Sequence, residues 1–223
     1  MGSAAFDSVG GGAVDIQSIV PVVGSEEELY TGGFVIMTMT DGGSTDETYV
    51  YTLAADAADG KDGWFDSNGE RVVKTFLPGE GFVTSSDYET GKLQTSGAVA
   101  QEDTVFSLGT GINSCGNTMS AKLSIADIAA GVALDAEGNL LKVNATTEEE
   151  LYTGGVVIMT LTDGGSTDQT YVYTLAEDAT DEIAEDGWFD SNGQRVTVDF
   201  DAGVGFIVSS DFAESYIKLP SVL

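Results

Sequence analysis

The side chains that most often do chemistry are scarce in this chain. It contains no histidine, which removes the commonest general base and the commonest transition-metal ligand. Ser-His-Asp triads, Cys-His pairs and histidine-ligated zinc are therefore excluded. The single cysteine, Cys115, has no second thiol to pair with and no histidine to activate it. It reads as a small buried residue.

What remains is carboxylate and aromatic chemistry. The sequence DGGSTD occurs at Asp41–Asp46 and again at Asp163–Asp168. Calcium takes six to eight oxygen ligands, so Asp41, Asp46, Asp163 and Asp168 are the candidate calcium ligands, with plain glycine-rich turns as the competing reading. DSNG at Asp66–Gly69 resembles the middle of an EF-hand loop, but Trp64 stands where the first Asp belongs and no glutamate closes the loop. EEELY at Glu26–Tyr30 and Glu148–Tyr152 gathers three acids beside a tyrosine. A glycosidase pair needs a cleft and a fixed separation; the spacing supplies neither, and a solvated strand entry is the simpler reading. Tyr49, Tyr51 and Trp64, with their copies, are either core aromatics or a platform on which a sugar stacks, and exposure decides between the two. GTGINSCGN at Gly109–Asn117 has neither the phosphate-loop lysine nor the dinucleotide fingerprint. Asn144-Ala145-Thr146 fits the glycosylation pattern.

These residues are carried on a sequence that is written twice. Glu26–Ala54 and Glu148–Ala176 differ only at Phe34/Val156, Met39/Leu161 and Glu47/Gln169. DGWFDSNG recurs at Asp62–Gly69 and Asp186–Gly193. An offset of this size is too long for a solenoid repeat and matches a small domain. The predicted organisation is two tandem β-sandwich domains related by internal duplication, 1–98 and 99–223, joined by a short connector near Gly97–Asp103.

The fold class follows from period-two patterning. In Phe34–Thr40, Val35, Met37 and Met39 share one face, and Phe34, Ile36 and Thr38 the other. Tyr49–Leu53 alternates in the same way, so the pair predicts a hairpin across Asp41–Thr48. Asn68-Gly69 predicts a tight turn. Strands are predicted over Arg71–Leu77 and Arg195–Phe200, with closing strands over Lys92–Ala100 and Tyr216–Leu223. Only Leu123–Ala130 hints at a helical period. Adjacent Trp64 and Phe65 would face opposite sides of a strand, one toward the core and one toward an interface. Aligning Phe6 with Phe106 and Asp15-Ile16 with Asp127-Ile128 makes copy one the shorter. It lacks the piece between Ile128 and Glu148, where Ala136–Asn139 predicts a hairpin. A trimmed copy exposes a sheet edge or leaves a core position for something else to fill.

The charge is strongly one-sided: 37 acids face 8 bases, for a net −29 and a pI near 4.1. Such a polyanion repels nucleic acid and anionic lipid. No apolar run is long enough to span a membrane, and Met1–Gly12 lacks the pattern of a signal peptide.

The order DGWFD (Gly63–Asp66), PGEGF (Pro78–Phe82) and a short closing strand resembles tandem β-domain repeats of bacterial surface and secreted proteins, which carry GWYD-like and PGxGF-like motifs. Gly187–Asp190 and Gly203–Phe206 match more loosely, with Ala202 in place of the proline. The resemblance implies a structural or surface role and no enzyme class. It sets an expectation of an extracellular or cell-surface location.

The expectation is thus a non-enzymatic building block whose partners are copies of itself, stacked head-to-tail into a filament, sheath or surface array. In that scheme the segment Ala4–Val23 adds as a strand to the next subunit, and Phe6, Ile16, Ile19, Val22, Trp64 and Trp188 are the candidate interface residues. A calcium-assisted carbohydrate-binding or adhesive module, with a glycan as ligand, is the alternative. A viral coat or tail protein is a third reading.

Overall fold

The computed structural model describes residues 3–8, 12–39, 45–95, 102–117, 121–161 and 167–221. In chain order the first half contains β1 (Ser3–Ser8), β2 (Val14–Asp15), a 3-10 turn (Ile16–Ser18), β3 (Val20–Val22), β4 (Phe34–Met39), β5 (Thr45–Thr52), β6 (Gly63–Phe65), β7 (Thr75–Phe76), β8 (Gly81–Ser86) and β9 (Lys92–Gln94). The second half contains β10 (Thr104–Leu108), β11 (Gly111–Gly116), β12 (Leu123–Ser124), a 3-10 turn (Ile125–Asp127), β13 (Ala129–Gly131), β14 (Ala133–Leu134), β15 (Leu140–Leu141), β16 (Val156–Leu161), β17 (Thr167–Thr174), β18 (Gly187–Phe189), β19 (Asp199–Phe200), β20 (Gly205–Ser210) and β21 (Ser215–Leu219). The protein is all-β, as the alternation predicts.

Each half builds a five-stranded antiparallel sheet, β1-β8-β4-β5-β6 and β11-β20-β16-β17-β18. The two orders correspond strand for strand. Period-two patterning explains their two faces. On β4, Phe34, Ile36 and Thr38 are buried and Val35, Met37 and Met39 are half-buried. The buried row packs under the small sheets of its own half, closing a sandwich-like core around Ile16, Ile19, Trp64, Phe76 and Phe82. The second core is larger and gathers Leu108, Leu123, Ile125, Trp188, Phe200, Phe206 and Ile217.

The other rows meet each other. Val83 and Ile207 form a third apolar cluster with Met37, Met39, Ile112, Met159 and Leu161. Three equivalent pairs sit in that list: Val83/Ile207, Met37/Met159 and Met39/Leu161. The contacts are reciprocal as well, β1 touching β20 and β11 touching β8. Backbones come close enough here to require glycine: a Cβ on Gly81 would meet the Cys115 carbonyl oxygen at 2.6 Å. A contact of this reciprocal kind is isologous and uses up the surfaces that form it.

Several sequence expectations are corrected. Asp15-Ile16 corresponds to Ser124-Ile125, not to Asp127-Ile128. Asp15 and Ser124 each precede a 3-10 turn, and each accepts from a backbone N–H two residues on, Gln17 or Ala126. Phe6 and Phe106 are not equivalent either. β1 pairs with β8, placing Phe6 opposite Val83, whereas β10 pairs with β21, placing Phe106 opposite Ile217. Two phenylalanines matched by residue type, but the second half spends two strands where the first spends one. Arg71–Leu77 and Arg195–Phe200 reach strand geometry only at β7 and β19; of the closing strand expected over Lys92–Ala100, β9 spans Lys92–Gln94 and residues 96–100 lie outside the described residues. The Leu123–Ala130 period is a single 3-10 turn between short strands. The Ala136–Asn139 hairpin is present between β14 and β15.

Trp64 and Phe65 are both buried, at 0% and 4% exposure, as are Trp188 and Phe189 at 1% and 4%. The second ring is covered from within its own half. Arg71 lies over Phe65 with its guanidinium carbon 4.7 Å from the ring centroid, and Arg195 covers Phe189 at 4.8 Å. Asp59 and Asp181 hold those guanidiniums from the acidic loop. The two residues added to that loop in the second half lie beyond Asp181, leaving the same clamp in place.

Trp64 Nε1 donates to the Ile19 carbonyl at 2.9 Å. Trp64→Phe should keep most of the packing but orphan that acceptor, costing about 1–3 kcal/mol. Trp64→Ala adds a cavity and should cost about 3–5 kcal/mol. Urea denaturation followed at two probes checks both values, and a negligible loss in Trp64→Phe would contradict the role given to the indole N–H.

Candidate functional site

Four of the six candidate interface residues are corrected by their burial. Ile16, Ile19, Trp64 and Trp188 are at most 1% exposed and belong to their own cores. They have no surface left for another chain. The signal was misread because large apolar residues beside turns suit a core as well as an interface. Val22 is 42% exposed on β3, and Phe6 lies on β1 within its own sheet. The segment Ala4–Val23 is thus engaged with its own chain: β1 on β8, β2 on β7 and β3 on β9.

The sugar platform is corrected too. Tyr49, Tyr51, Tyr171 and Tyr173 are buried beside the tryptophans, and Tyr51 meets Trp64 edge to face at 5.3 Å. Burial and the nearby Asp186 carboxylate push the Tyr173 phenol up to about 12. The Cys115 thiol is fully buried and pushed well above its usual value by desolvation. Asn144, the sequon residue, is 7% exposed and spends its amide on the Val132 carbonyl and on the N–H groups of Thr146 and Thr147.

Asp41 and Asp163 lie outside the described residues. Asp46 and Asp168 are exposed on β5 and β17. Among the described residues no group of three or more acids and cysteines converges as a metal site would.

Many acids instead hold the backbone. Asp66 Oδ1 accepts from the N–H groups of Asn68 and Glu70, each at 2.9 Å. Asp190 repeats this with Asn192 and Gln194, and Asp135 with Glu137 and Asn139. Gly69 and Gly193 complete two of these turns at φ +77° and +73°, a region natural only to glycine. The EF-hand likeness of DSNG is therefore a turn capped by its own carboxylate. Backbone donation from Glu70 and Gln194 holds the carboxyls of Asp66 and Asp190 below the ordinary aspartate range, and the Asn139 side chain does the same foremost at Asp135. Glu27 of the EEELY run accepts from Thr90 Oγ1 at 2.8 Å and from the Gly24 N–H.

The site that distinguishes the two halves is a sheet edge. In the second half β21 sits between β10 and β13. Beyond β13 the β14–β15 hairpin closes in, with the Val132 N–H donating to the Leu141 carbonyl at 2.8 Å. In the first half the counterpart is β3-β9 alone. Registers make Leu93 the equivalent of Ile217, since Pro21 opposes Leu93 as Ala130 opposes Ile217. No described strand occupies the place that β10 fills. The piece that the sequence predicts copy one to lack, the counterpart of the Ala136–Asn139 hairpin, belongs beyond β3, as β14 and β15 lie beyond β13.

The two edges of β3-β9 are chemically unlike. Pro21 has no N–H, so Pro21 and Leu93 must form a non-hydrogen-bonded pair. The backbone groups of Pro21 then point to the outer edge of β3, which offers no donor there. Those of Leu93 point to the outer edge of β9, which offers both a donor and an acceptor. Val20 and Val22 are 47% and 42% exposed on the face they share with Lys92 and Gln94.

The capped turns carry a pH prediction. A carboxyl held low in the fold contributes stability above its unfolded pKa, and that stability is lost as pH falls through the folded value. The loss should therefore begin below about pH 4. Relief of the acidic self-repulsion works the other way, so the test is comparative. Asp66→Asn, Asp135→Asn and Asp190→Asn combined should lower stability at pH 7 and flatten its decline toward pH 2, measured by thermal melts across pH.

Comparison with family models, with curated proteins and with solved structures finds no match for this chain.

Proposed function

We propose that this protein is a non-enzymatic structural building block that associates with copies of itself into an extracellular filament, sheath or surface array. The observation that carries this reading is the use of the acids: Asp66, Asp135 and Asp190 cap turns and Asp59 and Asp181 hold guanidiniums, which gives these carboxylates a scaffold role.

The internal junction does not propagate by itself. Its isologous contact is consumed where the two five-stranded sheets meet, so an open assembly needs a different surface. No helix among the described residues is long and apolar enough to cross a membrane.

At −29 per copy, self-repulsion opposes association. The Debye length falls from about 30 Å at 0.01 M salt to about 3 Å at 1 M, so sedimentation velocity should show larger species as salt rises, and electron microscopy should show ordered assemblies. Calcium at matched ionic strength tests for a specific contribution from Asp41, Asp46, Asp163 and Asp168. Association that weakens with salt would overturn the electrostatic argument, and a single monomeric species at all concentrations would overturn the function.

A further inference from the structure

We propose that Asn68 and Asn192 are latent deamidation sites, and that the aspartate cap of each turn holds the reaction off by keeping the following glycine nitrogen away from the asparagine side chain.

The lability is written in the sequence. Of six asparagines, only Asn68 and Asn192 precede a glycine. Glycine has no side chain to hinder the approach of its own nitrogen, so an Asn-Gly pair closes a ring readily. The Gly69 backbone nitrogen gives up its proton and bonds to Asn68 Cγ. The Cγ–Nδ2 bond breaks and ammonia leaves with that proton, which closes a succinimide. Water then opens the ring at one carbonyl to give aspartate, or at the other to give isoaspartate. Water is the one co-reactant, and both asparagines are exposed to it.

The turn opposes each step. The Gly69 N–H donates to the Asp66 carbonyl at 3.0 Å, so the attacking nitrogen is engaged with residue 66. Asn68 Nδ2 donates to Asp66 Oδ2 at 3.2 Å, which turns the side chain back the same way and ties down the leaving group. Asp66 Oδ1 fixes the backbone between them by accepting from the N–H groups of Asn68 and Glu70. Ring closure has to break these bonds before nitrogen and carbon can meet. The second turn is built alike: the Gly193 N–H donates to the Asp190 carbonyl at 3.0 Å, and Asn192 Nδ2 donates to Asp190 Oδ2 at 3.3 Å. Asn139 is held in this way by Asp135, but Leu140 follows it, so it serves as an unreactive reference.

The product would undo the turn that prevents it. A carboxylate at position 68 would set a like charge against Asp66 Oδ2, where an amide now donates. Isoaspartate would also lengthen the backbone between Phe65 and Arg71, which pair across the turn, and would shift the guanidinium that covers the Phe65 ring.

The test uses the full chain as wild type, Asp66→Ala and Asp190→Ala. Each is incubated in mildly alkaline buffer, and deamidation at each asparagine is followed by proteolytic mapping and mass spectrometry. A synthetic peptide covering Gly63–Arg71 gives the uncapped rate. In the wild type both sites should react more slowly than the peptide, by about tenfold or more. Asp66→Ala should bring Asn68 toward the peptide rate and leave Asn192 slow, and Asp190→Ala should do the reverse. The untouched turn in each variant reports that the rest of the chain is still folded. Wild-type sites that react at the peptide rate overturn the protection. An unchanged Asn68 in Asp66→Ala overturns the role of the cap, and acceleration at both sites in both single variants overturns its local action.

Discussion

A buried indole N–H must find an acceptor, and in this protein that requirement ties the layers together. Trp64 sits on β6, the outermost strand of the large sheet, and donates to the carbonyl of Ile19, the residue that closes the 3-10 turn before β3. Trp188 donates to Ile128 at 2.8 Å in the same relation. The bond fixes where the chain leaves the turn, and hence where β3 or β13 begins. In the first half Gln17 reinforces it by accepting from the Trp64 N–H and donating to the carbonyls of Trp64 and Val72. Ala126 stands at that place in the second half and makes no such bridge. Everything beyond β3 inherits its position from this point, including the direction in which β9 turns its free edge.

The local features were legible because they depend on near neighbours. Alternation in Phe34–Met39 placed both faces of β4 correctly, and Asn68-Gly69 announced its turn. What escaped the sequence is whatever depends on residues far along the chain. Phe65 is an exception nearer by: its cover is Arg71, six residues on and held from Asp59, a contact of side chains that alternation along the strand does not encode. Tyr49 and Tyr51 looked equally suited to a sugar or a core, and burial chose the core. Phe6 and Phe106 looked equivalent because an alignment sees residue type and not strand pairing. The trimmed copy was visible as a length difference, but only strand pairing shows that the missing hairpin belongs beyond β3.

The internal symmetry constrains how such a chain could grow. Two halves joined through equivalent residues, Val83 with Ile207 and Met37 with Met159, leave no complementary surface at that junction for a third. A linear assembly can still be built entirely from twofold contacts, provided that two different ones alternate along it. The junction between the halves is one contact already made within each chain.

An exposed sheet edge is ordinarily a hazard, and this chain treats its edges unequally. Pro21 blanks the outer edge of β3, which protects it without cost to the pairing with β9. The β9 edge is short and carries Lys92, two features that also discourage indiscriminate pairing. A net charge of −29 adds a long-range barrier that any encounter must overcome before strands come within hydrogen-bond reach.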